Sequence, residues 1–221
     1  MKFERSLISV TIILLFLSLS ILNVQCKVPS ENEAFTMNNK ITIRSYIEDV
    51  FAEETTVYCR EHNNITIYDC SSPGEPIILG EYSSELELGS DFFVKEGYVY
   101  QIGSKYSQDL KIPEQKLSFQ IIDSHKPTNP QLVGEWQMEV KDDYYFYGFI
   151  DETIVEGNIA YIISFKGHLE GGYFGELLMI DCSDLENPKL AGSYCDNYTV
   201  FHSLAVMGNL VCLLTYTDDT I

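Results

Sequence analysis

In one repeated pattern of the sequence, an apolar residue is followed six positions later by Tyr or Cys. Acidic side chains recur three residues before that apolar residue. Asp49, Asp91 and Glu152 take that position in three copies, and Ser203 takes it in a fourth. Asp151 adds a second carboxylate to the third copy. Carboxylate oxygens are preferred ligands of Ca²⁺ in proteins. We therefore expect Asp49, Asp91, Asp151 and Glu152 to form a calcium site if they converge. The alternative is that they cap strand ends or face water.

The other reactive residue types form no catalytic pattern. The four histidines fall at non-equivalent places, which predicts loop or surface residues and not a ring of metal ligands: His62, His125, His168 and His202. The chain has no GxSxG nucleophile elbow, HExxH motif, EF-hand loop or phosphate-binding Gly loop. The sequence therefore predicts no catalytic residue and no cofactor other than Ca²⁺.

The cysteines are spaced neither like a disulfide scaffold nor like a CxxC metal site. Two of them, Cys70 and Cys182, directly follow an Asp that ends an apolar run, which predicts a small, semi-buried position at a strand end. The full set is Cys26, Cys59, Cys70, Cys182, Cys195 and Cys212. No redox or nucleophilic role is predicted for any of them.

The charge of the chain argues against one class of partner. It carries 33 acidic residues against 14 basic ones, for a formal charge of −19, and the acids are spread along the chain. Such a surface repels phosphate backbones, so we expect no nucleic-acid partner. A solvated acidic surface is the simplest interpretation, and a cation or a cationic partner is the alternative. Asn64 and Asn197 lie in sequons and are glycosylation candidates whose use depends on the host.

The first 26 residues resemble an export signal. A short charged start precedes an apolar stretch from Leu7 to Val24, which is typical of a cleaved secretory signal. An uncleaved membrane anchor and a lipid anchor at Cys26 are the alternatives. All three place the rest of the chain outside the cytoplasm, with membrane contact only through this segment, and residues 27–39 are then a linker.

The elements that position these residues belong to a repeat. Three times, an apolar run ends in Asp, with a Pro seven residues later, a Gly four residues after the Pro and an aromatic two residues after the Gly. The copies are Asp69, Pro76, Gly80 and Tyr82; Asp123, Pro130, Gly134 and Trp136; and Asp181, Pro188, Gly192 and Tyr194. Self-similarity of this kind indicates units that bury their apolar faces against one another.

Each unit predicts four short antiparallel strands, A to D. Gly157-Asn158 and Gly208-Asn209 suit a tight A–B hairpin, whereas the first copy has no Gly and should turn less sharply. The Asp can close an Asx-turn as strand C ends. Pro cannot donate a ladder hydrogen bond, so strand D should be the outer strand. Four-stranded antiparallel units repeated radially predict an all-β fold, the β-propeller.

In this repeated pattern the chain resembles the LVIVD-repeat family. The similarity is carried by LLMIDCSDLENPKLAGSY, Leu177 to Tyr194, and by the matching segments Ile67 to Tyr82 and Ile121 to Trp136. It extends from about Ile41 to Thr217. The resemblance implies a β-propeller of the bacterial and archaeal cell surface, from a family mostly without assigned activity. It carries over no catalytic residue.

The predicted blades occupy residues 40–221. KITIRSY, Lys40 to Tyr46, resembles an outer strand, three full units follow, and Phe201 to Tyr216 gives strands A and B of a fourth. We therefore expect about three and a half blades of a longer propeller, with the chain a fragment or a truncated product.

Insertions distinguish the later units. They fall in the B–C connections, Gln101 to Lys116 and Ser164 to Glu176, and in one D–A connection, Gln137 to Tyr147. In an antiparallel blade these connections emerge on one face, where binding usually resides. The sequence thus favours a non-catalytic exported or cell-surface module that binds a protein or a glycan. A metal-dependent hydrolase or lyase with an acidic channel site and an envelope scaffold are the alternatives.

Overall fold

The computed structural model describes residues 47–72, 75–86, 88–106, 115–139, 144–145, 150–168, 173–197 and 199–217. Every regular element in these residues is a β-strand. The predicted signal or anchor (residues 1–26), the linker (residues 27–39) and the outer strand predicted at residues 40–46 lie outside the described residues.

The strands form antiparallel sheets in chain order, which we call blades 1 to 4. Blade 1 contains β1 (Asp49–Glu53), β2 (Thr56–Glu61), β3 (Asn64–Asp69) and β4 (Ile77–Ser83). Blade 2 contains β5 (Leu88–Lys95), β6 (Tyr98–Tyr106), β7 (Gln115–Asp123) and β8 (Gln131–Glu139). A short strand, β9 (Tyr144–Tyr145), then precedes blade 3: β10 (Ile150–Glu156), β11 (Ile159–His168), β12 (Tyr173–Asp181) and β13 (Lys189–Asn197). Blade 4 is described as the pair β14 (Thr199–Met207) and β15 (Leu210–Thr217).

The blades are arranged radially with their first strands innermost. β1 lies against β5, β5 against β10, and β10 against β14, so the four first strands are successive neighbours. The last strand of each complete blade is the outer one, and the repeat Pro directly precedes it in all three cases. The predicted all-β propeller of four-stranded antiparallel blades is confirmed, as three such blades and two strands of a fourth.

Three of the cores lie between neighbouring blades, and a fourth, around Cys59, Tyr68 and Cys70, lies within blade 1. Tyr58, Ile65 and Ile67 of blade 1 pack against Phe92 and Val94 of blade 2. The next layer joins Phe119 and its neighbours in blade 2 to Ile162 and Leu178 in blade 3. The third joins Ile163 and Leu177 to Phe201 and Leu213. The folding energy therefore comes largely from contacts between neighbouring blades.

The repeat Asp closes the predicted Asx-turn in all three copies. Its Oδ1 accepts the backbone N–H two residues later, at 2.8 Å for Asp69, 2.9 Å for Asp123 and 2.9 Å for Asp181. These bonds hold the pKa of each carboxyl below its usual value. The Asp is thus a structural residue that turns the chain from strand C towards strand D.

The repeat Gly makes room for the next blade. A Cβ on Gly80 would overlap the carbonyl oxygen of Pro127, and a Cβ on Gly134 would overlap that of Leu185. Both oxygens belong to the C–D turn of the following blade. A side chain at either position would therefore push two blades apart.

The first A–B turn is tighter than its sequence predicts. Glu53 pairs directly with Thr56, so this turn has two residues, as in the blades with Gly-Asn. Glu54 adopts a φ of 54°, close to the 59° of Gly157 and the 60° of Gly208. The prediction of a less sharp turn was wrong, because the pairing of β1 with β2 imposes a left-handed conformation that glutamate adopts only with strain.

The insertions are mostly strand, where loops were predicted. β2 pairs with β3 over six residue pairs, whereas β6 with β7 and β11 with β12 each pair over nine. The residues of the predicted loops that the structure describes all lie in strands. Each added pair of residues continues the backbone hydrogen-bond ladder, so an insertion of this kind lengthens a hairpin.

Candidate functional site

The inner-strand carboxylates occupy equivalent places in the sheets, as their spacing predicts. Asp49 pairs with Arg60, Asp91 with Ile102, Glu152 with Ile163 and Ser203 with Leu214, which are matching positions on the second strands. A shift in register directly precedes Asp91, Glu152 and Ser203. Such bulges change the direction of a side chain, here in the innermost strands beside the next blade.

Glu152 is hydrogen-bonded to blade 4 through one carboxylate oxygen. Its Oε2 accepts a hydrogen bond from the hydroxyl of Ser203 at 2.8 Å and another from the backbone N–H of Leu204 at 2.7 Å. This carboxylate therefore links the inner strands β10 and β14 through two hydrogen bonds.

Asp49 and Asp91 meet at the corresponding contact between blades 1 and 2. Burial raises the pKa of Asp91 to about 7, the Thr153 hydroxyl opposes that shift, and the negative charge of Asp49 adds to it. Asp49 Oδ1 accepts the backbone N–H of Val50 at 2.7 Å. Asp91 thus places a second carboxylate at the position that the Ser203 hydroxyl occupies in blade 4.

Thr153 completes this contact from blade 3. It is 4% exposed, and a hydrogen bond from its hydroxyl to the Asp91 carboxyl lowers the pKa of that group. Sequence reasoning missed this residue, because Thr is an ordinary strand residue. Its position directly after the aligned Glu152 is the signal that could have identified it.

Of the four predicted metal ligands, the structure brings two together. Asp49 and Asp91 meet, Glu152 turns to blade 4, and the side chain of Asp151 lies outside the described set. The described residues contain no group of three or more His, Cys, Asp or Glu placed to hold a metal ion. The four-residue calcium site stays a prediction.

The histidines with described side chains are exposed. His62 lies in the B–C turn of blade 1, where its Nδ1 is 2.8 Å from Oε1 of Glu48. The other oxygen of Glu48 accepts a hydrogen bond from Arg60 at 2.8 Å. His125 lies 2.8 Å from Asp123, and His202 faces outward on β14.

The described cysteines are free thiols. Cys59, Cys70 and Cys182 are buried, which places the last two deeper than the semi-buried position predicted for them. Burial raises the pKa of Cys59 to about 11 and that of Cys182 to about 12. Thiols in such surroundings remain protonated and are poor nucleophiles.

A polar contact between blades 1 and 2 was also missed in the sequence. The hydroxyl of Tyr58 on β2 lies 3.2 Å from Oγ of Ser124, the residue after the repeat Asp of blade 2. Ser124 Oγ in turn donates to the carbonyl of Gly97 at 2.7 Å. The recurrence of Tyr at Tyr58, Tyr100 and Tyr161 is the signal that could have indicated an inter-blade role.

A second candidate region is the end of the propeller that carries the insertions. β9, from the D–A insertion, pairs with the far end of β11: Tyr145 with Gly167 and Tyr144 with His168. The D–A insertion and the B–C hairpin of blade 3 therefore meet in one sheet. Asn64 begins β3 and Asn197 ends β13, so both sequons lie at this end.

These blades define the chain as a repeat β-propeller. The family model of the LVIVD repeat matches residues 151–196, which run from β10 through nearly all of β13, and the chain thus carries an LVIVD repeat in blade 3. No curated protein matches the chain. Among the described residues, no helix is long and apolar enough to cross a membrane.

Proposed function

We propose that this LVIVD-repeat propeller is an exported or cell-surface binding module that contacts a protein or a glycan through the B–C and D–A end. The pairing of β9 with β11 is the observation that carries this proposal. Two insertions that are 20 residues or so apart in sequence build one paired surface there. Strand pairing holds such a surface in a fixed shape, which lowers the entropy lost on binding.

The opposite end of the propeller is occupied by contacts between blades. Glu53 accepts hydrogen bonds from the backbone N–H groups of Glu96 and Gly97, at 2.8 and 3.1 Å. The C–D turns of blades 2 and 3 fill the spaces beside Gly80 and Gly134. Residues at that end stabilise the fold, so the end with the prolonged hairpins is the better candidate for a ligand surface.

Export is the second part of the proposal. The apolar stretch within residues 1–26 would direct the chain out of the cytoplasm, and the acidic surface then faces the medium. Expression of the full chain with a C-terminal tag, followed by N-terminal sequencing of the exported product, tests this part. A start at Lys27 indicates a cleaved signal, whereas an intact N-terminus in the membrane fraction indicates an anchor.

The binding role can be tested by shortening the hairpins. In one variant, Asn-Gly replaces residues 107–114 in blade 2 and residues 168–172 in blade 3, so that the last strand pairs, Tyr106 with Gln115 and Gly167 with Tyr173, are each closed by a two-residue turn. The fluorescently labelled full chain and the variant are compared for binding to intact cells of the source species. We expect binding by the full chain and at least a tenfold loss in the variant.

A matched control changes the other end of the same blades. Replacing Gly157-Asn158 with Asn-Gly alters an A–B turn and leaves the hairpins intact, so cell binding should be retained. Protease or glycosidase treatment of the cells distinguishes a protein from a glycan partner. Equal binding by both variants, or none by the full chain, would contradict the proposal and favour a scaffold.

A further inference from the structure

Two buried glutamines lie at the contact between blades 1 and 2. Gln101 on β6 pairs with Phe92 on one side and with Gln120 on the other, so all three side chains project from the same face of blade 2. Phe92 packs in the core that blade 2 shares with blade 1, which gives the direction of this face. The two glutamine amides therefore lie between these blades.

The other two contacts between blades are apolar at the equivalent positions. In blade 3 these positions hold Ile162 and Leu178, which lie directly opposite each other and pack in the core shared with blade 2. In blade 4, Leu213 corresponds to Gln101 and is also part of a core. Burying an amide in such a layer costs free energy unless its polar atoms are hydrogen-bonded.

Hydrogen bonds satisfy only part of this polar set. Gln120 Nε2 donates to Oε1 of Glu135 at 2.9 Å, and Ser118 Oγ donates to the same oxygen at 2.6 Å. The other oxygen of Glu135 accepts a hydrogen bond from Gln137 Nε2 at 2.8 Å. The nitrogen of the Gln120 amide is thus bonded to the outer strand, and its oxygen is left for another partner.

Three amide atoms have no hydrogen-bond partner in the part of the chain that the structure describes: Gln101 Nε2, Gln101 Oε1 and Gln120 Oε1. Gln101 is 0% exposed and Gln120 is 2% exposed, so bulk solvent does not hydrate them. The Gln101 nitrogen is a donor and the Gln120 oxygen is an acceptor on directly opposite residues, yet no direct bond joins them. A group that can both accept and donate a hydrogen bond would satisfy the pair.

We propose that the contact between blades 1 and 2 encloses an ordered water molecule that bridges Gln101 and Gln120. The water accepts a hydrogen bond from Gln101 Nε2 and donates one to Gln120 Oε1, and its second hydrogen serves a further acceptor. Buried waters in proteins make about three such bonds, to polar groups that lack other partners. Water thus takes the place that apolar side chains fill in the other two contacts. This site is independent of the binding surface proposed at the hairpins.

A crystal structure of the purified full chain, at a resolution that shows ordered solvent, tests the bridge. We expect electron density within hydrogen-bond distance of both amides. An ¹⁵N-edited rotating-frame Overhauser spectrum should show a cross-peak between the Gln101 side-chain N–H and water, with the sign of proximity and not of chemical exchange. Gln101→Ile copies Ile162 at the equivalent position of blade 3, so this variant should fold and lose the density.

Gln137→Leu is the matched control, because it removes an exposed glutamine from Glu135 and leaves the two buried amides in place. It should retain the bridging density and the cross-peak. A dry contact in the unmodified chain, or a direct hydrogen bond between the two amides, would overturn the proposal. So would density that persists unchanged in Gln101→Ile, since other groups would then hold the water.

Discussion

Gly134 on the outer strand of blade 2 lies against the backbone carbonyl of Leu185 in the C–D turn of blade 3. Gly80 and Pro127 repeat this relationship between blades 1 and 2. The Gly of the repeat is therefore a packing residue, and its Asp shapes the turn that fills the space beside the preceding Gly. Two elements of one sequence motif thus act on opposite sides of each blade contact.

Gly134→Ala should lower the free energy of unfolding by about 2–3 kcal/mol. The added Cβ would overlap backbone atoms of Leu185 and Glu186, which cannot move without displacing the turn. Urea denaturation measures the change. Gly192→Ala is the control: among the described residues its Cβ would meet only the flexible end of Met179, at 3.1 Å, and its effect should stay within about 0.5 kcal/mol. Similar losses in both variants would contradict this role.

Glu54→Gly should raise the free energy of unfolding by about 1 kcal/mol, because Gly adopts the left-handed conformation without a clash of Cβ. Glu54 has a φ of 54°. The reverse change, Gly157→Ala, should lower it by a similar amount through backbone strain alone, since no atom of the described residues lies within 4 Å of the added Cβ. Thermal unfolding of both variants provides the measurement, and two changes of the same sign would argue against the strain at Glu54.

Tyr58 and Ser124 should be energetically coupled across the contact between blades 1 and 2. Tyr58→Phe should cost about 1 kcal/mol and Ser124→Ala about 1–2 kcal/mol, because the serine also loses its bond to Gly97. A double-mutant cycle in urea should give a coupling of about 0.5–1.5 kcal/mol. Strictly additive effects would show that the hydroxyl contact contributes nothing.

Acid should destabilise the fold through the Asx-turns. A hydrogen bond from the backbone N–H of Ser71 lowers the pKa of Asp69 below its usual value. A carboxyl with a depressed pKa contributes stability that is present above the unfolded pKa and lost as the pH falls through the folded one. The Tm should therefore decrease when the pH is lowered below about 4.

Asp69→Asn keeps an Oδ1 that can accept from Ser71 and removes the titration, so its loss of Tm below about pH 4 should be smaller. Glu156→Gln, at the exposed end of β10, removes a carboxylate that closes no such turn and serves as the control. An acid transition unchanged in Asp69→Asn would place the pH sensitivity elsewhere.

The sequence was a good guide wherever a feature depends on neighbours along the chain. The four strands of each unit, the Asx-turn at Asp69 and the outer position of the strand after Pro76 are local properties, and all were predicted. The tight turn at Glu54 was not, because cross-strand pairing overrides the preference of a single residue. The extra residues after β6 were predicted as a loop, because spacing alone cannot distinguish a loop from a prolonged hairpin.

For the candidate site, equal spacing predicted that inner-strand carboxylates of successive blades would approach one another. Asp49 and Asp91 do so. Spacing could not predict that Glu152 is bound by Ser203 and Leu204, since that depends on the register shift before Ser203 and on the packing of two blades.

The sequence by itself determined the repeating unit, its four strands and the places where insertions occur, because turn chemistry and the spacing of the repeat are properties of residues close in the chain. Only the tertiary structure decided which polar groups meet. The partner of each inner carboxylate lies on the next blade, about 50 residues further along the chain in the case of Glu152 and Ser203. Such contacts depend on how neighbouring blades are rotated and offset, and that geometry is fixed by the cores packed between them.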